Sequence, residues 1–578
     1  MSAIMRRYQQ WLRCADAAMK EELASLGETE REDCFYKELA FGTAGLRGVM
    51  GPGTNRMNKY VVARATHGLA AYLLTRPDAT GRGVAIAYDS RKNADVFALQ
   101  TALIFCANGI RAYLFESLRA VPQLSFTVRY LNCVAGVVIT ASHNPPAYNG
   151  YKVYDAHGGQ ITPAQAEVVY ANMRHAGYFK LPAITKEDAL AGGLLTMIGQ
   201  QADEAYYAAT RRLMIDEAVL RQYGPALNIV YTPLHGAGNR PVREILRRAH
   251  VGTVHVVKEQ ELPDGAFPTV RAPNPEDPEA FTLARALCNG VGADVIFATD
   301  PDSDRFGVAV RDGDGFRVLS GNEIGCLLLN YMLGALTRNG ALPQNGLVAR
   351  SIVSTDLADR IAAHYGVQIE TVPAGFRFIS KLVDESARSG ARTFLFGFEE
   401  SYGFLVGGYS RDKDAVCAAM LMAELLADCK RRDITLLQAL HGIYAQYGYY
   451  KERAKSYTLE GKTGAEEIAY AMQSLRGAPP MALAGTRVSY FEDYSVSMRQ
   501  YMDEWHPICS EPLSLPKSDM LRFVLENGAW VAIRPSGTEP KLKLYTAAHA
   551  KLEAQADAML AALHADVDGR LQALLLSK

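Results

Sequence analysis

Four loops carry most of the polar chemistry in this chain. The first, TASHNPPAYNGYK, runs from Thr140 to Lys152 and sets Ser142 directly beside His143. It follows the apolar run VAGVVITA, so Ser142 is expected at a strand end. Neighbouring side chains of an extended chain point apart, which makes His143 a badly placed base for Ser142. The GxSxG of a nucleophile elbow is absent. Asn144-Pro145-Pro146 restricts the backbone and holds the loop in one shape. Lys152 brings a point charge to the same region. A serine with amide and basic neighbours suits the holding of a phosphate.

The second loop, DPDSDR, carries Asp300, Asp302 and Asp304 directly after the strand-like VIFAT. Three carboxylates this close repel unless a cation joins them, and a hard divalent ion with oxygen ligands, Mg²⁺ near phosphates, would do so. A solvated acidic turn is the bland alternative. An EF-hand is excluded, because no glycine follows Asp304 and Arg311 stands where the closing Glu belongs. Arg305 could hold a phosphate oxygen beside the metal.

In FEESYG, Glu399 and Ser401 share one side of an extended strand and Glu400 takes the other. A carboxylate and a hydroxyl facing one way suit sugar hydroxyls. RPSGTEP has the composition of a phosphate cradle. Arg534 offers a planar fork, Ser536 and Thr538 offer hydroxyls, and Gly537 lets the backbone approach an anion. Alone, each of these two would pass for an acidic strand end or an ordinary turn. FGTAGLRG presents Arg47 on a Gly-rich turn that is neither a P-loop nor GxGxxG. In TPLHGAGNR, His235 reads as a turn or core histidine.

Repeated units are expected to position these loops. Gly83–Phe115, Leu227–Val257 and Gly346–Val372 each read as strand, polar loop, amphipathic helix and strand. The recurrence suggests three similar α/β domains. Each unit is followed by one more strand-like run ending in a chemically distinct loop, at the strand ends where open α/β sheets bind ligands. The fourth loop lies between an apolar run and an alternating strand, and a helix over KLEAQADAMLAALHADV should cover that smaller domain. The expected domains are 1–195 with the serine loop, 196–317 with the aspartate loop, 318–450 with the FEESYG loop and 451–578 with the RPSGTEP loop.

Composition narrows the function classes. The 578 residues carry 61 Lys and Arg against 62 Asp and Glu, interspersed. That argues against a basic nucleic-acid stripe or an acidic tail. No apolar run is long enough to cross a bilayer. The first twenty residues read as an amphipathic helix rather than a signal peptide. Nine cysteines without a CxxC pair fit buried thiols in a reducing cytoplasm.

Taken in order, TASHNPPAYNGYK, DPDSDR, FEESYG and RPSGTEP resemble the α-D-phosphohexomutase superfamily. FGTAGLRG and MGPGTNRMN are similar to its bacterial phosphoglucomutase/phosphomannomutase branch. The resemblance covers nearly the whole chain. It implies three related α/β domains, each a mixed sheet between helices, and a smaller C-terminal α+β domain around a central cleft. It implies a mutase that exchanges glucose 1-phosphate and glucose 6-phosphate through phosphoserine and a bound glucose 1,6-bisphosphate, which also serves as activator. Ser142 matches the phosphoserine, and Asp300, Asp302 and Asp304, with an oxygen of that phosphoserine, match the ligands of one Mg²⁺. Arg47, His143, Lys152 and Arg305 match residues around the transferred phosphoryl group. Glu399 and Ser401 match the sugar-reading pair. Arg534, Ser536, Gly537 and Thr538 match the grip on the other phosphate. Lys413, in SRDKDAV, matches a catalytic-site lysine of glucose-type members.

Two positions depart from the pattern. Gly403 stands where dual glucose/mannose members carry histidine, which tilts the expectation toward glucose. Arg377 stands where lysine is common. Lys413 or a group linked to His143 is the expected acid–base. Mannose and pentose phosphates remain alternative substrates. An aspartyl-phosphate phosphatase using Asp300 and a non-catalytic sugar-phosphate regulator are the rival classes, and the DxDx[TV] of the former is not met.

Overall fold

The computed structural model describes residues 2–42, 45–293, 295–459, 461–502, 507–536 and 541–575. Its strands form four sheets. In the first, Val84–Tyr88 lies between Ala112–Phe115 and Ala135–Ile139, all parallel, and Leu195–Ile198 extends it at one edge. Tyr148–Asp155 then runs antiparallel beside Ala135–Ile139, and Gly45–Val49 pairs outside it. The second sheet sets Asn228–Thr232 parallel to Thr253–Val256 and Val295–Thr299, with Phe306–Asp312 antiparallel to the last. The third sets Gly346–Ser351 parallel to Gln368–Val372 and Thr393–Glu399, with Gly403–Val406 antiparallel.

The same hairpin therefore recurs three times. A parallel strand ends, a loop follows, and the chain returns antiparallel. The serine, aspartate and FEESYG loops are these three connections. The repeated strand–helix–strand units read from sequence are present, with helices Ala94–Ala107, Asn239–Arg248 and Leu357–His364 between their strands. The fourth sheet is antiparallel throughout its main path, and the long helix Glu553–Leu575 packs on it.

Period-two alternation explains why the three mixed sheets are buried on both faces. Val84 and Ile86 enter one cluster while Ala85 and Ala87 enter another. Ile229 and Tyr231 face one core and Val230 the opposite one. The second and third units are not independent. Phe297 and Val295 share a single core with Val348, Phe396 and the helices Gly321–Arg338 and Ala415–Arg431. At the N-terminus the expected single helix is two, Ala3–Cys14 and Ala17–Ser25, because the Asp16 side chain accepts the Met19 N–H and starts a new helix. All nine cysteines are free thiols, and seven are buried.

Within the shared core, Glu424 is fully buried. It accepts the N–H groups of Ile215 and Asp216 and the Tyr331 hydroxyl. Burial raises its carboxyl to about 7. A carboxyl raised above its unfolded value stabilises the fold fully below about pH 4.5, and that contribution is lost as pH rises through 7. Wild-type protein should therefore lose up to about 3 kcal/mol between pH 4.5 and pH 8 that Glu424→Gln does not lose. Denaturant unfolding of both proteins across that range measures the difference.

Candidate active site

The backbone of Ser142 decides the geometry of its loop. Its φ is +51°, in the left-handed region, so the chain is not extended there. The side chains of Ser142 and His143 consequently meet, with Oγ 3.1 Å from His143 Nδ1. This corrects the expectation that neighbours must diverge. The Ser142 N–H donates to Thr140 Oγ1 at 2.8 Å, and its hydroxyl donates to Asp300 Oδ2 at 2.5 Å. The proton of Thr140 Oγ1 has Asp89 at 2.6 Å and Asp302 at 3.0 Å within reach.

Asp300, Asp302 and Asp304 are buried, and one oxygen of each lies within 4.8 Å of the others. Asp300 Oδ1 accepts the N–H groups of Asp304 and Arg305. Burial, then the charges of Asp302 and Asp304, raise the Asp300 carboxyl well above the ordinary range. Burial also raises Asp304, but Lys152, Lys413 and Arg305 outweigh it and hold that carboxyl low. Asp302 Oδ1 and Asp304 Oδ1 are buried oxygens without a hydrogen-bond partner. Buried acceptors left over in a cluster of three carboxylates fit a hard divalent cation. The TPLHGAGNR loop supports this one from behind. The Ala237 N–H donates to Pro301 O at 2.8 Å, and a Cβ on Gly236 would stand 2.5 Å from Pro301 Cα.

The cations around the aspartates come from several units. Lys152, on Tyr148–Asp155, sets Nζ 2.7 Å from Asp302 and 3.1 Å from Asp304. Burial pulls its ammonium down, but those two aspartates outweigh it. Lys152, expected beside the phosphate, also pairs with the aspartates in the folded chain. Lys413 Nζ lies 3.1 Å from Asp304, and Asp304, Asp412 and Glu399 overcome burial to keep it an ammonium. Arg305 pairs with Glu276. Arg47, on Gly45–Val49, donates to Asn144 Oδ1 at 3.2 Å. Burial, then Arg305, Arg47, Lys543 and Lys541, push His143 well below the ordinary imidazole value, so its ring is neutral.

Glu399 closes the strand Thr393–Glu399 and accepts the Gly375 N–H at 2.7 Å. The chain then turns rather than continuing extended, with Tyr402 at φ +64°. The alternation expected for Glu399, Glu400 and Ser401 therefore does not apply. Glu400 instead accepts the Ser351 hydroxyl. Gly403 explains the position of Lys413: a Cβ there would stand 2.1 Å from Lys413 Cδ. Arg534, on Trp530–Pro535, completes a cleft of about 310 Å³ with Arg47, Ser142, His143, Lys152, Asp304, Arg305, Glu399 and Lys413. A second opening of about 620 Å³ continues from Arg305 and Arg534 to Ser536, Lys541 and Lys543. The Ser536 N–H donates to Lys541 O. Gly537 and Thr538 lie outside the described residues. Ser401 is half-buried in the turn after Glu399.

Several residues of this neighbourhood were not singled out from sequence. Asp412 accepts from Tyr154, Gln160 and the Lys413 N–H, fixing the lysine's loop to the first unit. The repeated acid in RDKD was the available signal. Asp89 and Arg91 stand in YDSRK, at a strand end of the kind that marks the other loops. Gly403→Ala should move Lys413 off Asp304, and a crystal structure of the variant should show their separation widened from 3.1 Å to beyond ion-pair distance.

Models of four domains match in chain order. They are phosphoglucomutase/phosphomannomutase alpha/beta/alpha domain I over residues 38–178, domain II over 209–313, domain III over 320–447 and the C-terminal domain over 484–562. A phosphoglucomutase of Staphylococcus saprophyticus is 36% identical over 537 residues, 92% of this chain and 94% of that protein. One from Staphylococcus haemolyticus is 36% identical over 89% of this chain and 91% of its own length. The fold is also that of a crystal structure of the phosphoprotein pp63/parafusin from Paramecium, in its open form. There the TM-score is 0.66 at 18% identity, over 94% of this chain and 96% of that one. With all four domain models in order and relatives this similar over nearly its full length, the chain belongs to the phosphoglucomutase/phosphomannomutase family of the α-D-phosphohexomutase superfamily.

Proposed function

We propose that this protein is a phosphoglucomutase that interconverts α-D-glucose 1-phosphate and glucose 6-phosphate by way of phosphorylated Ser142 and a bound glucose 1,6-bisphosphate. The observation that carries the reading is the hydrogen bond from the Ser142 hydroxyl to Asp300, which sets the hydroxyl against the aspartate cluster in a cleft lined by cations. The similar Staphylococcus proteins are phosphoglucomutases, which supports glucose as the sugar.

Asp300, Asp302 and Asp304, with an oxygen of phosphorylated Ser142, would hold one Mg²⁺, which when bound supplies positive charge to the phosphoryl oxygens. The chain's own residues account for the rest. In the forward step the phosphorus–oxygen bond to Ser142 breaks and one to a sugar hydroxyl forms. The sugar oxygen loses a proton and Ser142 Oγ gains one. Two groups are within reach of that serine oxygen, Asp300 Oδ2 at 2.5 Å and His143 Nδ1 at 3.1 Å. Phosphoryl transfer depends on positioning and charge more than on covalent help. Arg47 and Arg305 would stabilise charge on the transferred group, while Lys152 and Lys413 hold the aspartates in register. Glu399 and Ser401 would read sugar hydroxyls. Arg534 and Ser536, with Gly537 and Thr538, would grip the phosphate that is not reacting, whichever end of the sugar it is on. The substrates are small sugar phosphates, and the cytoplasm, where these are made and used, is the proposed location.

With glucose 1-phosphate, Mg²⁺ and a trace of glucose 1,6-bisphosphate, the purified protein should form glucose 6-phosphate, and peptide mapping should find phosphate on Ser142. Phosphate on Asp300 instead would overturn the reading in favour of a phosphatase. Ser142→Ala should lower kcat by about 10⁴-fold or more. Chelation of divalent ions should abolish turnover and readdition of Mg²⁺ should restore it. Single-turnover transfer by Lys413→Ala tests the lysine separately, and an unchanged rate removes it from the proton transfer.

A further inference from the structure

The loop that presents Ser142 is held by a side chain outside the four motifs. Arg91 follows the strand Val84–Tyr88 and is 3% exposed. Its guanidinium donates to four backbone carbonyls of one loop. Nη1 reaches Pro145 O and Tyr148 O, both at 2.9 Å. Nη2 reaches Ser142 O at 2.5 Å and also Asn144 O. Asp89 lies 3.6 Å from Arg91 Nε, accepts the Arg91 N–H at 2.9 Å and faces the Thr140 hydroxyl, which in turn accepts the Ser142 N–H. Both backbone groups of Ser142 are thus fixed by one buried pair, the carbonyl directly and the N–H through Thr140. Ser142 has a left-handed φ, and such a conformation persists only where its surroundings over-determine it.

One face of that guanidinium is covered by the second unit. The ring of Phe267 lies over it, with the centroid 5.1 Å away, and is itself 1% exposed. Phe267 also has a left-handed φ, +46°, a costly conformation for a bulky side chain. The backbone of its loop presses on Arg91, since a Cβ on Gly265 would stand 2.8 Å from Arg91 C. Phe267 meets the His235 ring edge-on, and His235 belongs to the loop whose Ala237 N–H holds Pro301 between the aspartates. The clamp on the serine loop and the support of the aspartate loop are therefore parts of one packed contact between two units.

We propose that Arg91 is a positioning residue for phosphoryl transfer, and that Phe267 couples it to the unit carrying the aspartates. The inference rests on the phosphoserine reading above. The same serine oxygen must give and receive a phosphoryl group opposite the same three carboxylates, and a displacement of about 1 Å at such a centre costs about 10²-fold in rate. Arginine suits the task because its planar fork directs donors to acceptors on two sides. A lysine ammonium is a point with three donors on a flexible stem and cannot span four carbonyls from Ser142 to Tyr148.

The test uses the full chain with Arg91→Lys, Arg91→Ala and Phe267→Leu. Each is compared with wild type for kcat, KM, the Kd of glucose 6-phosphate and the thermal unfolding midpoint. Arg91→Lys should lower kcat by about 10²-fold with KM and Kd within about 3-fold. Phe267→Leu, which keeps a smaller apolar side chain and loses the ring face, should lower kcat by about 5-fold, with only a small drop in midpoint for the cavity left behind. Millimolar guanidinium should restore part of the activity of Arg91→Ala. Wild-type kcat in Phe267→Leu, together with Arg91 variants that lose kcat only as they lose their unfolding midpoint, would overturn the inference and leave a structural role. If wild type is phosphorylated on Ser142 and turns over, these outcomes bear on Arg91 alone. If wild type is not phosphorylated there, it is the mutase reading that fails.

Discussion

Three buried carboxylates in contact are the constraint on which the rest of this structure depends. Asp300, Asp302 and Asp304 cannot sit together away from water without compensating positive charge. No single unit of the chain provides it. Lys152 comes from the first sheet, Arg305 from the second and Lys413 from the segment after the third. The docking of three units is thus written into the charge balance of one loop. A unit shifted by a few ångströms would leave a buried carboxylate unpaired, which is far more costly than losing a surface ion pair.

Much of this was legible in the sequence, because the features that position the site are local. A buried strand followed by a polar loop announces its ends through hydrophobicity and turn residues, and three such hairpins recur with the same order. What was not legible depends on backbone torsion and on long-range contact. The extended-chain rule separates Ser142 from His143, whereas one left-handed φ brings them together. Lys152 looks like a free cation beside a serine until the second unit folds against it. Arg91 is anonymous in YDSRK, since its partners are backbone carbonyls some fifty residues away and carbonyls leave no trace in a sequence. The core shared by the second and third units is hidden for the same reason: each helix that builds it reads as an ordinary amphipathic or apolar helix.

Gly403 shows how a single atom can exclude one solution and permit another. With no Cβ at that position, the stem of Lys413 passes directly over the strand Gly403–Val406 and delivers its ammonium to Asp304. Any side chain at 403 would occupy the space of that stem. A lysine from the loop after the strand and a side chain from the strand itself are therefore mutually exclusive ways of filling this corner of the cleft. The glycine read in the sequence as a departure toward glucose-type members is, physically, the clearance that Lys413 requires.

The fourth unit carries its loop on a sheet of its own, which bears on the task proposed for it. On the proposed mechanism the idle phosphate is held while the sugar presents either end to Ser142, so the grip on that phosphate would not also fix the ring. Arg534 and Ser536 stand on a separate antiparallel sheet. That sheet meets the third unit through Trp530 and Tyr545 packed on Ile352 and Val353. Among its polar contacts, the Trp530 indole donates to Asp356, whose other oxygen takes Arg350, and Asn322 donates to Glu452. Both contacts are with the third unit, the first beside the strand that carries Glu399. On the proposed roles, the phosphate grip would be referenced to the loop that carries Glu399. Distances from phosphate to sugar hydroxyls would then be set by the third and fourth units, while the distance from Ser142 to Asp300 is set by the first and second. A substrate that reverses between two half-reactions needs that division, because only the first set of contacts must tolerate exchange of its ends.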